Sequence, residues 1–216
     1  RLALLEWARE AGAWVVEDDY DSEFCYSGER LPALHRLDRE ERVIYTGTFS
    51  KTLFPALRLA YLVVPHDLVG PFEAAKSTTD HASSTVDQAV LTEFIRAGYF
   101  ARHVRRMVAL YRRRLEALED AVSAELSGVM RLEWTGNGLH AIGWLLDDLD
   151  DEAVSAAALA RGIEAPALSH FCVERRLPPA LVIGFAAIDE CAIRPAVKRL
   201  ARAIESVLAP ARVVGP

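Results

Sequence analysis

The chain has 216 residues, 51% of them apolar, with a formal net charge of −6 and an isoelectric point near 5.6. That is room for one large domain or two small ones with a proper core. The acidic balance argues against a polyanion-binding surface on this segment, and no run reaches the roughly 18–20 apolar residues that a membrane helix needs.

The opening residues do not read as a signal peptide. They read as an amphipathic helix, with Leu2, Leu5, Trp7 and Ala8 ahead of Ala11-Gly12. A strand, Ala13 to Val16, follows at once. A helix feeding a buried strand is the middle of an α/β domain, so the sequence is expected to be a piece of a longer protein.

Three strand-length runs organise the first third: Trp14-Val15-Val16, Val43-Ile44-Tyr45 and Leu59–Val64. Their continuous rather than alternating apolar character suits strands buried on both faces. Next comes a helix capped by Ser84 or Thr85, carrying Val86, Val90, Phe94 and Ile95 and ending at Gly98. A long helix is predicted from about Phe100 to Leu126, with one stripe of Val104, Val108, Tyr111, Leu115, Leu118, Val122 and Leu126. The last third reads α+β. Strands are predicted at Arg131–Trp134 and Leu139–Leu146, joined through Gly136-Asn137-Gly138. A helix over Asp151–Arg161, strands at Ile163–Leu168 and Ala180–Ala186, and a closing helix from Asp189 complete it.

Chemistry gathers at the ends of the first two strands. Glu17-Asp18-Asp19-Tyr20-Asp21 follows one, and Thr46-Gly47-Thr48-Phe49-Ser50-Lys51 follows the other. Ligands of α/β sheets sit at the carboxyl ends of strands. If these two strands are parallel neighbours, acids, a phenol, hydroxyls and a lysine share one edge, with Arg58 nearby. Lys51 then has three readings. It is a solvated loop lysine, or a P-loop lysine, or a lysine that forms an imine with pyridoxal phosphate. The P-loop reading fails on composition, because Ser50 rather than Gly precedes Lys51 and Gly47 stands alone. Imine chemistry needs a carboxylate for the pyridine nitrogen, a phenol near the ring oxygen, and hydroxyls with a cation for the phosphate. Asp18, Tyr20, Thr48, Ser50 and Arg58 are those residue types.

Other clusters have plainer readings. The six arginines of residues 101–114 alternate with an apolar stripe and suit a solvated helix face better than a nucleic-acid contact. The aspartates of residues 145–152 suit a helix-capping loop better than calcium ligation. His140 is either a strand histidine or one turned toward a pocket. Three cysteines, Cys25, Cys172 and Cys191, without CxxC spacing, suit a reduced, cytoplasmic setting and no metal framework.

The motifs EDDYDSEF (17–24) and GTFSKTLFPALRL (47–59) closely resemble the aminotransferase-like domain of MocR-type regulators of the GntR superfamily. The resemblance runs from Val15 to Pro65 almost without a gap and continues more weakly to the C-terminus. It implies the fold of class I aminotransferases (fold type I). Residues 1–103 would be the C-terminal half of the large domain, mostly parallel sheet with helices, and 104–216 a smaller α+β domain entered through the long helix. It implies that Lys51 carries pyridoxal 5′-phosphate as a Schiff base, that Asp18 pairs with the pyridinium nitrogen, that Tyr20 hydrogen-bonds the ring hydroxyl, and that Thr48, Ser50 and Arg58 hold the phosphate. The implied function is an effector domain that senses the cofactor, an amine or an amino acid, in a homodimer. DNA would be contacted only through a winged helix upstream of this segment. The alternative is a class I/II aminotransferase acting on an amino acid or amine. In such enzymes a late strand carries an arginine for the substrate carboxylate; the matching position here is Val182. Arg175 and Arg176 just before it read as solvated loop cations.

Overall fold

The computed structural model describes residues 1–26, 28, 31–79, 84–146, 149–174 and 177–211. They form two compact units, residues 1–106 and 107–216. Among the described residues no helix is long and apolar enough to cross a membrane.

In the first unit, α1 (Leu2–Ala11) ends where Gly12 takes the left-handed conformation, φ 62°, and returns its N–H to the last turn. Glycine carries no Cβ penalty there. Then follow β1 (Val15–Asp19), a four-residue helix α2 (Leu34–Leu37), β2 (Val43–Thr48), β3 (Ala60–Val63), α3 (Val69–Thr79) and α4 (Thr85–Arg96). The sheet order is β1-β2-β3. β1 and β2 are parallel and β3 is antiparallel to β2. Its core is Ala8, Phe24, Tyr26, Leu34, Val43 and Ile44. Ser84 caps α4, its side chain accepting the Asp87 N–H at 3.3 Å.

β1 starts and ends later than its apolar run. Glu17, Asp18 and Asp19 are strand residues, although Asp is a poor strand former. Two of them are satisfied from the side chain. Both Glu17 oxygens accept backbone N–H groups at the start of α2, from Leu34 at 2.6 Å and His35 at 2.8 Å. Asp19 accepts the Tyr45 hydroxyl at 2.7 Å. The expectation of strands buried on both faces does not hold: Val16 is 65% exposed, Leu62 54%, and all four residues of β3 are exposed. β3 is an edge strand, and a cleft of about 650 Å³, lined by Thr46, Leu62, Phe72 and Lys76 among others, stays open beside it.

The long helix α5 (Tyr99–Glu125) runs from the first unit into the second. The second unit continues with β4 (Met130–Glu133), β5 (His140–Leu145), α6 (Asp151–Leu159), β6 (Ala180–Gly184) and α7 (Glu190–Ala211). Its sheet is antiparallel throughout, in the order β4-β5-β6. Leu115, Leu118 and Val122 of α5, Leu126 just after it, Leu181 of β6, and Ile193, Val197, Leu200 and Ile204 of α7 supply its buried apolar face. Asp150 caps α6 through the N–H groups of Glu152 and Ala153. Asp147 and Asp148, from the same acidic cluster, lie outside the described residues, as do Arg175 and Arg176.

Residues 163–168 do not form the expected strand. Only Ala167 bridges Leu181, and a 3₁₀ turn, Leu168–Phe171, follows. Pro166 has no N–H to extend a ladder, and its carbonyl serves Val182 N–H instead, at 2.8 Å. Of the arginine cluster, Arg112, Arg113 and Arg114 pair with Glu116, Glu190 and Asp189.

Candidate functional site

The pairing of β1 with β2 aligns Val16 with Ile44 and Asp18 with Thr46; that of β2 with β3 aligns Thr46 with Leu62 and Thr48 with Ala60. Paired residues share a sheet face, and side chains alternate along each strand. Asp18, Thr46 and Thr48 therefore lie on one face. Glu17, Asp19, Tyr45, Gly47 and Tyr61 lie on the other. The strand ends meet as the two motifs require, but by one detail the sequence did not suggest: the carboxylate of Asp18 is within the ladder, not beyond it.

Tyr20 follows β1 directly and is 39% exposed. The charge of Asp21, then burial, then the charge of Asp18 raise its phenol above the ordinary tyrosine value. Such a phenol stays protonated at neutral pH and can donate a hydrogen bond.

Beyond β2 the chain makes a tight turn around Lys51. Phe49 N–H donates to Leu59 O at 3.0 Å, and Leu53 N–H donates to Phe49 O at 2.9 Å. The Thr48 hydroxyl accepts Ser50 N–H at 3.1 Å and donates to Leu59 O at 3.4 Å. Thr52 is 2% exposed; its hydroxyl donates to Phe49 O at 3.4 Å. Its carbonyl oxygen lies 2.8 Å from His103 Nε2 on α5. Lys51 itself is exposed on this pinned turn. Arg58 precedes Leu59, whose carbonyl closes the turn. It holds a left-handed backbone, φ 52° and ψ 28°, which is uncommon for a residue with a Cβ.

Thus Asp18, Tyr20, Thr48, Ser50, Lys51 and Arg58 all sit at one end of the first sheet, where β1 and β2 finish and β3 begins. Sequence reasoning missed His103 and Thr52. Thr52 carried a faint signal as a hydroxyl directly after the lysine. His103 carried none, buried in the arginine-rich stretch. His140 is exposed on β5, across from Gly184. Among the described residues no cluster of His, Cys, Asp and Glu could hold a metal ion.

The family pattern described as aminotransferase class I and II matches residues 2–200. The chain is 37% identical over 200 residues to the probable rhizopine catabolism regulatory protein MocR of Rhizobium meliloti, covering 93% of this chain and 41% of that protein. It is 36% identical over 200 residues to an uncharacterized HTH-type transcriptional regulator, YhdI, of Bacillus subtilis, covering 93% of this chain and 43% of that protein. The chain thus spans less than half the length of these relatives. Among solved structures it is similar to Pyrococcus horikoshii kynurenine aminotransferase, crystallised with PMP, at a TM-score of 0.86 and 30% identity, over 94% of this chain and 50% of that one. Fold, motif and match agree: the chain belongs to the class I and II aminotransferase family, has its fold-type-I architecture, and is similar within it to MocR-type regulators.

Proposed function

We propose that this chain is the pyridoxal-phosphate-binding, aminotransferase-like part of a MocR-type transcriptional regulator. The observation that carries the reading is the Lys51 turn. A lone lysine is held on a loop fixed by Thr48, Phe49, Thr52 and Leu59, at the end of a sheet whose near face presents Asp18. The residue chemistry fits the group. Asp18 would hold the ring nitrogen's proton, and Tyr20, kept protonated, would donate to the ring oxygen. Ser50, Thr48 and the Arg58 cation would take the phosphate, and Lys51 would supply the amine that joins the aldehyde. When bound, pyridoxal phosphate supplies an electron sink for bonds at the carbon bearing an amine.

The regulatory reading is favoured over transamination by Val182. It sits within β6 with its N–H committed to Pro166 O, and its isopropyl side chain cannot take a carboxylate in the bidentate manner of arginine. On this reading the cofactor, or an amine or amino acid meeting it, is the signal. The intact protein would be a cytoplasmic homodimer, and would reach DNA through a helix-turn-helix outside these residues, the element that the name of a relative carries.

Two measurements test this. Adding pyridoxal phosphate should produce a visible absorbance band, and Asp18→Asn should weaken binding by about tenfold or more, a loss of the size a charge-assisted hydrogen bond provides. Equal affinity in the variant would remove Asp18 from the site. Single-turnover assays with amino acids should give no keto-acid product; steady conversion would favour the aminotransferase.

A further inference from the structure

Behind the Lys51 turn, on the sheet face away from Asp18, lies a chain of aromatic contacts that the cofactor reading does not use. Gly47 pairs with Tyr61 across β2 and β3. A Cβ on Gly47 would fall 2.5 Å from the Tyr61 ring and hydroxyl. Gly47 lies in ordinary strand and is not among the glycines with positive φ, so its side chain is excluded by space, not by backbone conformation. The Tyr61 ring lies 6.1 Å from that of Tyr45, tilted against it. Tyr45 in turn donates to Asp19 at 2.7 Å, and Asp19 also accepts the Ser22 hydroxyl at 2.8 Å. On its other side Tyr61 meets Phe49 at 5.6 Å, and Phe49 meets Phe100 edge-on at 5.8 Å. Phe49 is the residue whose N–H and carbonyl both close the Lys51 turn.

We propose that Tyr61, lying across Gly47 and anchored through Tyr45 to Asp19, is a positioning residue that fixes the Lys51 turn by packing against Phe49. The consequence for cofactor binding rests on the reading of Lys51 given above; the brace itself does not. Aromatic pairs at these separations stabilise beyond their buried area. Diagonal cross-strand neighbours lie within reach of aromatic side chains. A methyl at position 47 would displace the Tyr61 ring and so act through the same contact as its removal.

The test is amide hydrogen exchange on the cofactor-free chain, read at Phe49, Ser50 and Leu53. Gly47→Ala and Tyr61→Ala should each speed exchange there by about tenfold. The double variant should be no faster than Tyr61→Ala, because effects routed through one ring do not add. Amides of β4–β6 should be unmoved in all three. Single variants without effect on the turn, effects that multiply in the double, or a rise spread evenly through the chain would each overturn the brace. If Gly47→Ala does not fold, Tyr61→Ala alone decides between a local and an absent effect. Borohydride trapping of pyridoxal phosphate, run in parallel, separates the two claims. Faster exchange with no trapping in the parent chain leaves the brace standing and removes the cofactor reading. Trapping with unchanged exchange does the reverse.

Discussion

His103 Nε2 lies 2.8 Å from the carbonyl oxygen of Thr52, the residue that follows Lys51. A side chain from the first turns of α5 thus reaches the backbone of the turn. His103 can donate whether neutral in the right tautomer or protonated. His103→Ala leaves a half-buried carbonyl without this partner, at a cost of about 1 kcal/mol. We expect a lower melting temperature and slower borohydride trapping at Lys51. His103→Gln, which can restore an N–H donor, should recover part of both. Trapping at the parent rate in His103→Ala would show that α5 does not set the turn.

Tyr45 gives a prediction in alkali. Burial first, then its hydrogen bond to Asp19 and the nearby Tyr61 phenol, raise its phenol far above the ordinary tyrosine value. A raised acid constant in the folded chain means that the folded chain holds this proton more tightly. The stability it contributes is therefore full below about pH 10, the unfolded value, and is lost as pH rises above it. Ultraviolet titration should show Tyr45 ionising only as the chain unfolds. Tyr45→Phe should remove that late step and flatten the loss of stability above pH 10. A Tyr45 that ionises in the folded chain near pH 10, the ordinary tyrosine value, would refute the assigned environment.

Arg58 separates cation from backbone. Its left-handed conformation costs a residue with a Cβ about 1 kcal/mol or more, and glycine adopts it freely. Arg58→Gly should therefore keep or slightly raise the melting temperature while weakening pyridoxal phosphate binding. Arg58→Lys, which keeps charge but not the planar fork, should bind between the two. Unchanged affinity in Arg58→Gly would place Arg58 outside the phosphate site.

In the second unit, Asp151 is 6% exposed and accepts N–H groups from Ser169 at 3.1 Å and Ala180 at 3.3 Å. It ties the start of α6 to the start of β6. Asp151→Ala should cost about 2–3 kcal/mol, the range for buried donors left unpaired, measured by denaturant unfolding. A loss below about 0.5 kcal/mol would mean that these donors find other partners.

The parts legible in sequence were those governed by local rules. Ser84 before α4, Gly12 after α1 and the stripe of Leu115, Leu118, Val122 and Leu126 were all readable from spacing. The parallel pairing of β1 and β2 stood in the sequence only as a condition for bringing their ends together, and the backbone meets it. The parts that escaped depend on partners remote in sequence. Glu17 and Asp19 could join a strand only because α2 and Tyr45 satisfy them from 17 to 26 residues away. Residues 163–168 looked like a strand, but Pro166 has no N–H to extend a ladder, and Ala167 alone bridges Leu181. All four residues of β3 are exposed, on both faces of the strand, which its apolar run did not suggest. In the candidate site, the six motif residues came from pattern, whereas His103 and the Tyr61–Gly47 contact needed coordinates.

The chain contains three lysines, Lys51, Lys76 and Lys198, which makes the central claim directly measurable. Pyridoxal phosphate added at low excess, reduced with borohydride and mapped by peptide mass spectrometry, should label Lys51 almost alone, and Lys51→Ala should abolish the label. Labelling spread evenly over the three lysines, or surviving in Lys51→Ala, would contradict the assignment of the turn at residues 49–53 as the cofactor's anchor.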